Sequence, residues 1–546
     1  MHRSRTCNLL SITLLALAIA GTAAGAGTSI RPLPTASLPV GFDPSGMIID
    51  SIEIDNRDIY NTDDSAYSSF LFRLANSLHI VTKERIIRRE LLLKKGDRFV
   101  PETAEETARN LRQRFPFNDA WVELERLDDN RLLLRVVTID QWSLIGGLKS
   151  IDTDGGETDY QIGFEERNFL GHAQFWSFDY FVRETEDNYV TLELYEPRVL
   201  GRSYDFRWRY SNNPFFRYRA LSGGRPFYNL AQRWAYGLTV SDGGGREERF
   251  LSNQQVAEWE DKSDLIDLYA AYRRGPSYRK TTLSAGYTYL FRQLTDRSIL
   301  DSTAFAPTEF PEDSVYHQLD AGIEHSRQRF IVEHRINGFD FNEDITLGET
   351  GGFTFGRAYR PGLDGYHYNF INVLLEIHQK IAGNIIMADY SRSFWYKAGT
   401  DTRRLTTLTL RAYNNQLPFL TLALRSQYAS DKTDNPNGLV LGGKSGLRGY
   451  DKEYTSGDRV HVVNLEGRFY PGIEILSVKI GGAVLSDFGR AWRKGQAIEF
   501  KDYYFSAGVG LRFSLERLSR DEMVRIDLVC GQHGRLELSI GTGQYF

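Results

Sequence analysis

The chain has 546 residues with 66 Lys and Arg against 71 Asp and Glu, a formal net charge of −5; this acidic balance excludes the basic surplus that a nucleic-acid partner requires. After the N-terminus no apolar run reaches the roughly 20 residues of a spanning helix, yet 30 Tyr, 33 Phe and 49 Gly stand beside 2 Cys and 4 Met. Such a composition fits a membrane β-barrel with aromatic girdles, glycine turns and a polar lumen, although a large secreted β-solenoid or β-sandwich could share it.

The N-terminus reads as a secretory leader. Arg3 and Arg5 form a basic start, residues 9–20 form a short apolar run, and Ala24-Gly25-Ala26 fits the small-x-small processing rule. Residues 1–26 are therefore expected to be removed as a signal peptide. Cys7 would leave with them, so Cys530 becomes the single mature cysteine and no intramolecular disulfide is possible.

Residues 27–46 carry Pro32, Pro34, Pro39 and Pro44 without a periodic apolar pattern and read as an extended linker. Residues 47–141 read as a small α+β domain. A strand is expected over 48–54, followed by an additional helix over 63–78 started by Asp63, Asp64 or Ser65. Thr82 is the expected cap of a second helix carrying Ile86, Ile87 and Leu91 at helical spacing. After the Gly96-Asp97 turn, Pro101 opens a third helix with Ala104, Ala108 and Leu111. Two strands, 120–127 and 131–139, then pair across Asp128-Asp129-Asn130.

From Trp142 to Phe546 the pattern changes to alternation over segments of membrane-strand length. Ala507, Val509, Leu511 and Phe513 fall on one face, and Ser506, Gly508, Gly510, Arg512 and Ser514 on the other. Val524, Ile526 and Leu528 alternate with Arg525 and Asp527, and Leu536, Leu538 and Ile540 with Glu537, Ser539 and Gly541. Two early turns share a sequence, Glu166-Arg167-Asn168-Phe169-Leu170-Gly171 and Glu196-Pro197-Arg198-Val199-Leu200-Gly201. The expected fold for residues 142–546 is a membrane all-β, antiparallel barrel of about 16 strands, with 295–365 the hardest stretch to parse.

Residues 438–445 read GLVLGGKS, a literal match to the phosphate-binding loop, which would put Lys444 on phosphates and Ser445 on Mg²⁺. That chemistry needs a strand before the loop and a helix after it. Here Gly446, Gly449 and a polar loop come next, and residues 460–470 alternate as a strand, so nucleotide binding is not expected. Leu447-Arg448-Gly449-Tyr450 instead sits in a long loop over 431–458, ahead of strands with Asn464-Leu465-Glu466 and Leu485-Ser486-Asp487-Phe488-Gly489. An arginine on a glycine-flanked loop tip can reach carboxylates on an inner barrel wall and pair with them bidentately. Gly449 would let the backbone turn tightly against that wall. From the residues alone, a set of unrelated solvated charges is an equally open reading.

These residues resemble the signature of the BamA/TamA family of outer-membrane assembly and translocation proteins, also called bacterial surface antigens. That family carries V-R-G-[FY] on a long extracellular loop and F-x-D-x-G on a following strand. Arg448, Gly449, Tyr450, Asp487 and Gly489 match it, Glu466 takes the place of a second carboxylate partner, and Leu447 and Leu485 depart mildly. Residues 47–141 are similar to the family's POTRA domain, with the helix at 63–78 a departure. The resemblance covers nearly the whole mature chain.

The resemblance implies a Gram-negative outer-membrane barrel with its N-terminal domain in the periplasm. Its partners would be unfolded outer-membrane or secreted client polypeptides and outer-membrane lipid, with no cofactor, metal, nucleotide or enzymatic step. Arg448 with Gly449, Tyr450, Glu466, Asp487 and Gly489 would lock the loop to the barrel. A seam between a first strand near 160–168 and the last strand, 535–546, would part to admit a client strand, eased by Gly541 and Gly543. The POTRA-like domain would recruit clients by strand addition. Residues 539–546, ending in Phe546, resemble the terminal strand signal of outer-membrane proteins, with Gln544 a departure. The alternatives are a dedicated two-partner-type translocator for one secreted protein and a passive porin; no Ser-His-acid set supports a hydrolase.

Overall fold

The computed structural model describes residues 42–546 except 115, 155–156, 185–186, 252–253, 304, 308–309, 311–312, 362–366, 398–399, 433–438, 452–453, 498, 518–522, 533 and 535. The expected leader, 1–26, and residues 27–41 of the expected linker lie outside the described residues.

The N-terminal unit runs β1 (Ile48–Arg57), α1 (Phe70–Leu78), α2 (Glu84–Glu90), α3 (Pro101–Arg114), β2 (Phe117–Arg126) and β3 (Arg131–Asp140). β3 lies between the other two strands, parallel to β1 and antiparallel to β2. It holds the centre because Leu132, Leu134 and Val136 are buried in one core with Ile49, Ile86, Ile87, Phe99 and Leu111. The β2–β3 turn is tightened by Asp128, whose Oδ1 accepts from the main-chain N–H groups of Asn130 and Arg131, both at 2.9 Å.

Two helix starts differ from expectation. Asp64 caps only a 3₁₀ turn, Ser65–Tyr67, and α1 begins anew at Phe70. The break falls where the Ser68 hydroxyl donates back to the Ser65 carbonyl and Ser69 is extended, the usual competition of serine with helical backbone. Thr82 does not cap α2, whose N-cap is Lys83 without a side-chain bond. The Thr82 amide donates to Asp140 Oδ2 at 2.6 Å, and its hydroxyl accepts from Asn168 Nδ2 at 2.9 Å, so Thr82 joins the unit to the barrel instead.

Residues 144–542 form a closed antiparallel barrel of 20 strands in which the last strand, Leu536–Thr542, lies beside the first, Leu144–Asp154. Its burial is inverted relative to a protein in water. Outward-facing Leu511, Leu538 and Ile540 are exposed, whereas inward-facing Glu466, Arg468, Arg512 and Asp527 are buried. A wall of this kind is stable only with hydrocarbon outside it.

The expected count of about 16 strands is therefore too low, and the expected first strand near Tyr160 is the second. In Leu144–Asp154, Gly146 and Gly147 and a register shift between Leu148 and Ser150 break the apolar alternation, which hides the strand from a pattern search. The region over 295–365 resolves into the end of Arg279–Ile299 and into Ser314–Glu333 and Glu343–Tyr359. Strands such as Gln254–Arg274 and Arg279–Ile299 run for 21 residues each, well beyond the ~9–11 that cross the hydrocarbon, so alternation alone marks no membrane boundary there.

The two turns of shared sequence adopt one conformation. Leu170 and Leu200 both have left-handed φ, 53° and 51°. In each turn a glutamate accepts from the main chain two residues on, Glu166 from Asn168 at 2.7 Å and Glu196 from Arg198 at 2.8 Å. Both turns hold the N-terminal unit. Arg198 grips Glu90 of α2 bidentately at 2.7 and 2.5 Å, and Asn168 donates to the Ile80 carbonyl at 3.1 Å. Across the mouth, Arg112 of α3 grips Asp344 bidentately at 2.9 and 2.5 Å.

Candidate functional site

The long loop between Leu420–Lys432 and Arg459–Ile475 enters the lumen. Its described part pairs Leu439–Leu441 with Thr455–Gly457 and makes a 3₁₀ turn at Gly443–Ser445. Gly438 of the phosphate-loop match lies outside the described residues. The turn leads into Gly446 at φ +112° rather than into a helix, so the geometry that presents phosphates to a helix N-terminus is missing from the described residues.

Arg448 is 2% exposed, and its partners Glu466, Asp487 and Asp527 are 3%, 0% and 0% exposed. Its Nε and Nη2 donate to the two oxygens of Asp487, each at 2.8 Å, and its main-chain N–H adds a third bond to the same carboxylate at 3.1 Å. Nη1 donates to Glu466 at 2.6 Å and to Asp527 at 3.3 Å. The carboxylates stand on three wall strands, Arg459–Ile475, Val478–Trp492 and Met523–Gly531, each at an inward position of the alternation.

The carboxylates are themselves held. Arg468 donates to Glu466 at 2.9 Å, Arg512 to Asp527 at 2.5 Å, and the Asn464 amide to Asp487 at 2.7 Å and to the Gly446 carbonyl at 2.8 Å. A buried charge is tolerated when geometry and extra hydrogen bonds answer its desolvation, and both conditions are met here. With every carboxylate turned to a guanidinium, the cluster ties the loop to three strands of the wall.

The flanking residues make room for this contact. Gly449 has φ +81°, and a Cβ there would meet Val529 Cγ1 at 3.0 Å and the Gly531 amide at 3.1 Å, so both conformation and clearance select glycine. Tyr450 donates to the Phe505 carbonyl at 2.8 Å and accepts from the Gln532 amide at 3.1 Å. Opposite, a Cβ on Gly489 would meet Leu441 at 2.8 Å, so that glycine leaves space for the loop's own apolar packing.

Gly541, Gly543 and Phe546 lie elsewhere in the same lumen. Gly541 faces inward, and a Cβ on it would meet the Arg525 guanidinium at 2.5 Å. Gly543 turns the chain at φ +70°, with its amide bonded to the Met523 carbonyl at 2.8 Å. The wall strand ends at Thr542, so Phe546 is not part of it. Phe546 packs inside against Ile336, Ile345, Leu347 and Tyr413, and its main-chain oxygen accepts from Arg468 at 2.8 Å.

Reading the sequence missed Asp527, Arg512, Arg468, Asn464 and Tyr545 as members of the cluster. Alternation already puts Arg512 and Asp527 on the polar face; which of these residues meet depends on strand neighbours that no local pattern specifies.

No protein-family model matches the chain, and no curated protein matches it. Among solved structures it is similar to BamA from Haemophilus ducreyi lacking POTRA domains 1–3, at 12% identity over 91% of this chain and 84% of that one, with a TM-score of 0.38. It is also similar to CdiB from Escherichia coli, at 11% identity over 97% and 95% of the two chains with a TM-score of 0.42, and to CdiB from Acinetobacter baumannii, at 11% over 92% and 73% with 0.39. These structural neighbours, BamA and CdiB barrels, span most of the chain at low identity and low TM-score.

Proposed function

We propose that this chain is an outer-membrane barrel that inserts client polypeptides into the membrane or passes them across it. The observation that carries the reading is the buried contact of Arg448 with Glu466, Asp487 and Asp527, which fastens a long loop inside a closed barrel. A passive pore has no use for a three-stranded unit docked on its mouth.

Insertion is favoured over dedicated translocation by the seam. The last wall strand, Leu536–Thr542, has only 7 residues, fewer than any other described strand of the wall, while its neighbour Leu144–Asp154 has 11. A short ladder parts at low cost, and an open edge in hydrocarbon strongly favours pairing with an incoming strand. In this reading β2, which has only β3 beside it among the described residues, offers clients a sheet edge.

Cross-linking followed by purification of the full chain tests the proposal. Capture of many different unfolded barrel proteins supports insertion, and capture of a single secreted partner moves the function to the dedicated translocator. Absence of any polypeptide, together with free solute flux through the reconstituted protein, overturns both in favour of a pore.

A further inference from the structure

Helix α1 has no place in the unit's core: none of its residues is buried. Its attachment uses one side, where Phe72 packs on Tyr60 and Tyr67 and the Asn76 side chain bonds the Tyr60 carbonyl at 2.8 Å and accepts from the Tyr60 amide at 3.2 Å. At 3.6 residues per turn, Phe70, Leu74, Leu78 and Leu71 fall within an arc of about 100° on another side. These four are 66%, 40%, 66% and 58% exposed. Four large apolar side chains on one exposed arc mark a contact surface rather than scattered surface residues.

Both ends of α1 are tied to the barrel rim. Ahead of it, the Tyr67 hydroxyl donates to Glu474 at 2.9 Å and accepts from Arg517 at 3.4 Å, and Tyr60 donates to Ser477 at 3.3 Å. Behind it, the Ile80 carbonyl accepts from Asn168 at 3.1 Å and the Lys83 amide donates to the Gly171 carbonyl at 3.0 Å. In barrel order, Arg517 follows Tyr504–Ser514 and Asn168 follows Glu157–Glu166, so the seam between Leu536–Thr542 and Leu144–Asp154 lies between the two anchors. Outward apolar residues continue beside each anchor, Ile475 and Leu476 at one and Leu170 at the other, all exposed.

We propose that α1 is an interfacial helix whose Phe70–Leu71–Leu74–Leu78 face lies in the periplasmic leaflet beneath the barrel seam. Its occupant is lipid, because the face is held level with the rim and continues the barrel's own hydrocarbon-facing surface past the seam. Arg73, on the polar margin of the helix and exposed, is placed for lipid headgroups, as in other helices that lie in the membrane plane. Bulky apolar side chains wedged there loosen acyl packing at the place where the wall's shortest described strand, Leu536–Thr542, has to part. The lipid assignment rests on the chain being an outer-membrane barrel.

The test uses the full chain without Cys7 and Cys530, carrying one new cysteine labelled with bimane, in vesicles of phosphatidylethanolamine and phosphatidylglycerol brominated high on the acyl chains. Ile323→Cys on the outer wall is the lipid-facing control. Leu74→Cys is expected to lose about half or more of its fluorescence, as burial about 5–10 Å deep implies, and Asp129→Cys, on the solvent-exposed β2–β3 turn, little. Quenching at 323 but not at 74 overturns the helix proposal alone. No quenching at 323 overturns the membrane barrel and the helix proposal with it. If position 74 is shielded only after an unfolded client is added, the face is a client site and the lipid assignment is wrong. Leu74→Glu provides an independent check: with the barrel still heat-modifiable, loss of quenching from a bimane at Leu78→Cys supports insertion, and unchanged quenching overturns it.

Discussion

The guanidinium of Arg448 lies 3.9 Å from the centre of the Tyr545 ring. The Tyr545 hydroxyl donates to the Gly443 carbonyl at 3.0 Å, so this one side chain touches the long loop at two places. Tyr545 follows the last wall strand by three residues, beyond the turn at Gly543. The loop and the strand on one side of the seam therefore share a contact, and a last strand that swings out of the wall must draw Tyr545 off Arg448.

Arg448→Ala should free the loop without unfolding the barrel. Removing one partner from a buried ion pair costs about 3–5 kcal/mol, against ~0–1 for an exposed one, and here three carboxylates lose a donor together. Protease added outside is expected to cut within residues 439–457 while the barrel stays heat-modifiable. Asp487→Asn keeps an acceptor and should give a milder version. Full loop protection in Arg448→Ala would reduce the cluster to incidental lumen charges.

Tyr545→Ala should release the loop partly, since a desolvated cation–π contact contributes up to about 2 kcal/mol. Tyr545→Phe keeps the ring and loses only the bond to Gly443, so its effect should be smaller. Combined with Arg448→Ala, Tyr545→Ala should add less than it does alone, because the cation–π contact is already gone and only the bond to Gly443 is left to lose. Strict additivity of the two in loop cleavage rates would show that they act separately.

The fold was legible where chemistry is local. Alternation on either side of Arg512 and Asp527 reveals wall strands because one face meets lipid and the other the lumen. It fails at Leu144–Asp154, where two glycines and a register shift remove the signal, and the error carries through to the strand count and the seam. At the site, Arg448 and Gly449 announce themselves by a loop motif, and Asp487 and Gly489 by a strand motif. Asp527 does not, because its link to Arg448 crosses 79 residues and depends on how the wall closes. Phe546 misleads for a related reason: a terminal aromatic residue suggests a strand end, but Gly543 turns the chain inward before it.

The N-terminal unit should weaken as pH rises through about 6. Burial pushes the Asp140 carboxyl up to about 6 from its ordinary value of 3.8, against the opposing pull of the Thr82 amide and the nearby His79, with Asp58 adding to the rise. A pKa raised on folding means that the folded unit favours the protonated acid. The stabilisation is full below the unfolded value near 4 and disappears as pH passes through the folded value. A rise of this size corresponds to about 3 kcal/mol as an order of magnitude. Hydrogen exchange of the Thr82 region, corrected for intrinsic rates, should show more protection at pH 4.5 than at pH 7.5. Asp140→Asn, which keeps an acceptor for the Thr82 amide, should abolish that difference; if the difference persists, another group is responsible.

Docking of the unit should depend on two bidentate pairs at separate points of the rim, Arg198–Glu90 and Arg112–Asp344. Both are nearly closed to solvent, with side-chain exposures of 7% and 4% for the first pair and 7% and 3% for the second. Arg198→Ala leaves buried Glu90 only the longer 3.7 Å contact with Arg89 and should cost up to about 3–5 kcal/mol of docking, and Arg112→Ala a similar amount. Either substitution alone leaves the unit held by the other pair and by the Thr82–Asn168 bond, so each should loosen only its own side. The double variant should detach the unit while both parts stay folded, because neither arginine lies in the core formed by Ile49, Ile87 and Leu111. Cross-linking from cysteines placed on α2 and on the 196–201 turn reads the first contact, and cysteines on α3 and beside Asp344 read the second. Glu90→Ala with Arg198→Ala should recover part of the loss, since no charge is then left buried alone. If the double arginine variant cross-links as well as the native chain at both points, apolar packing holds the unit in place and the ion pairs only register it.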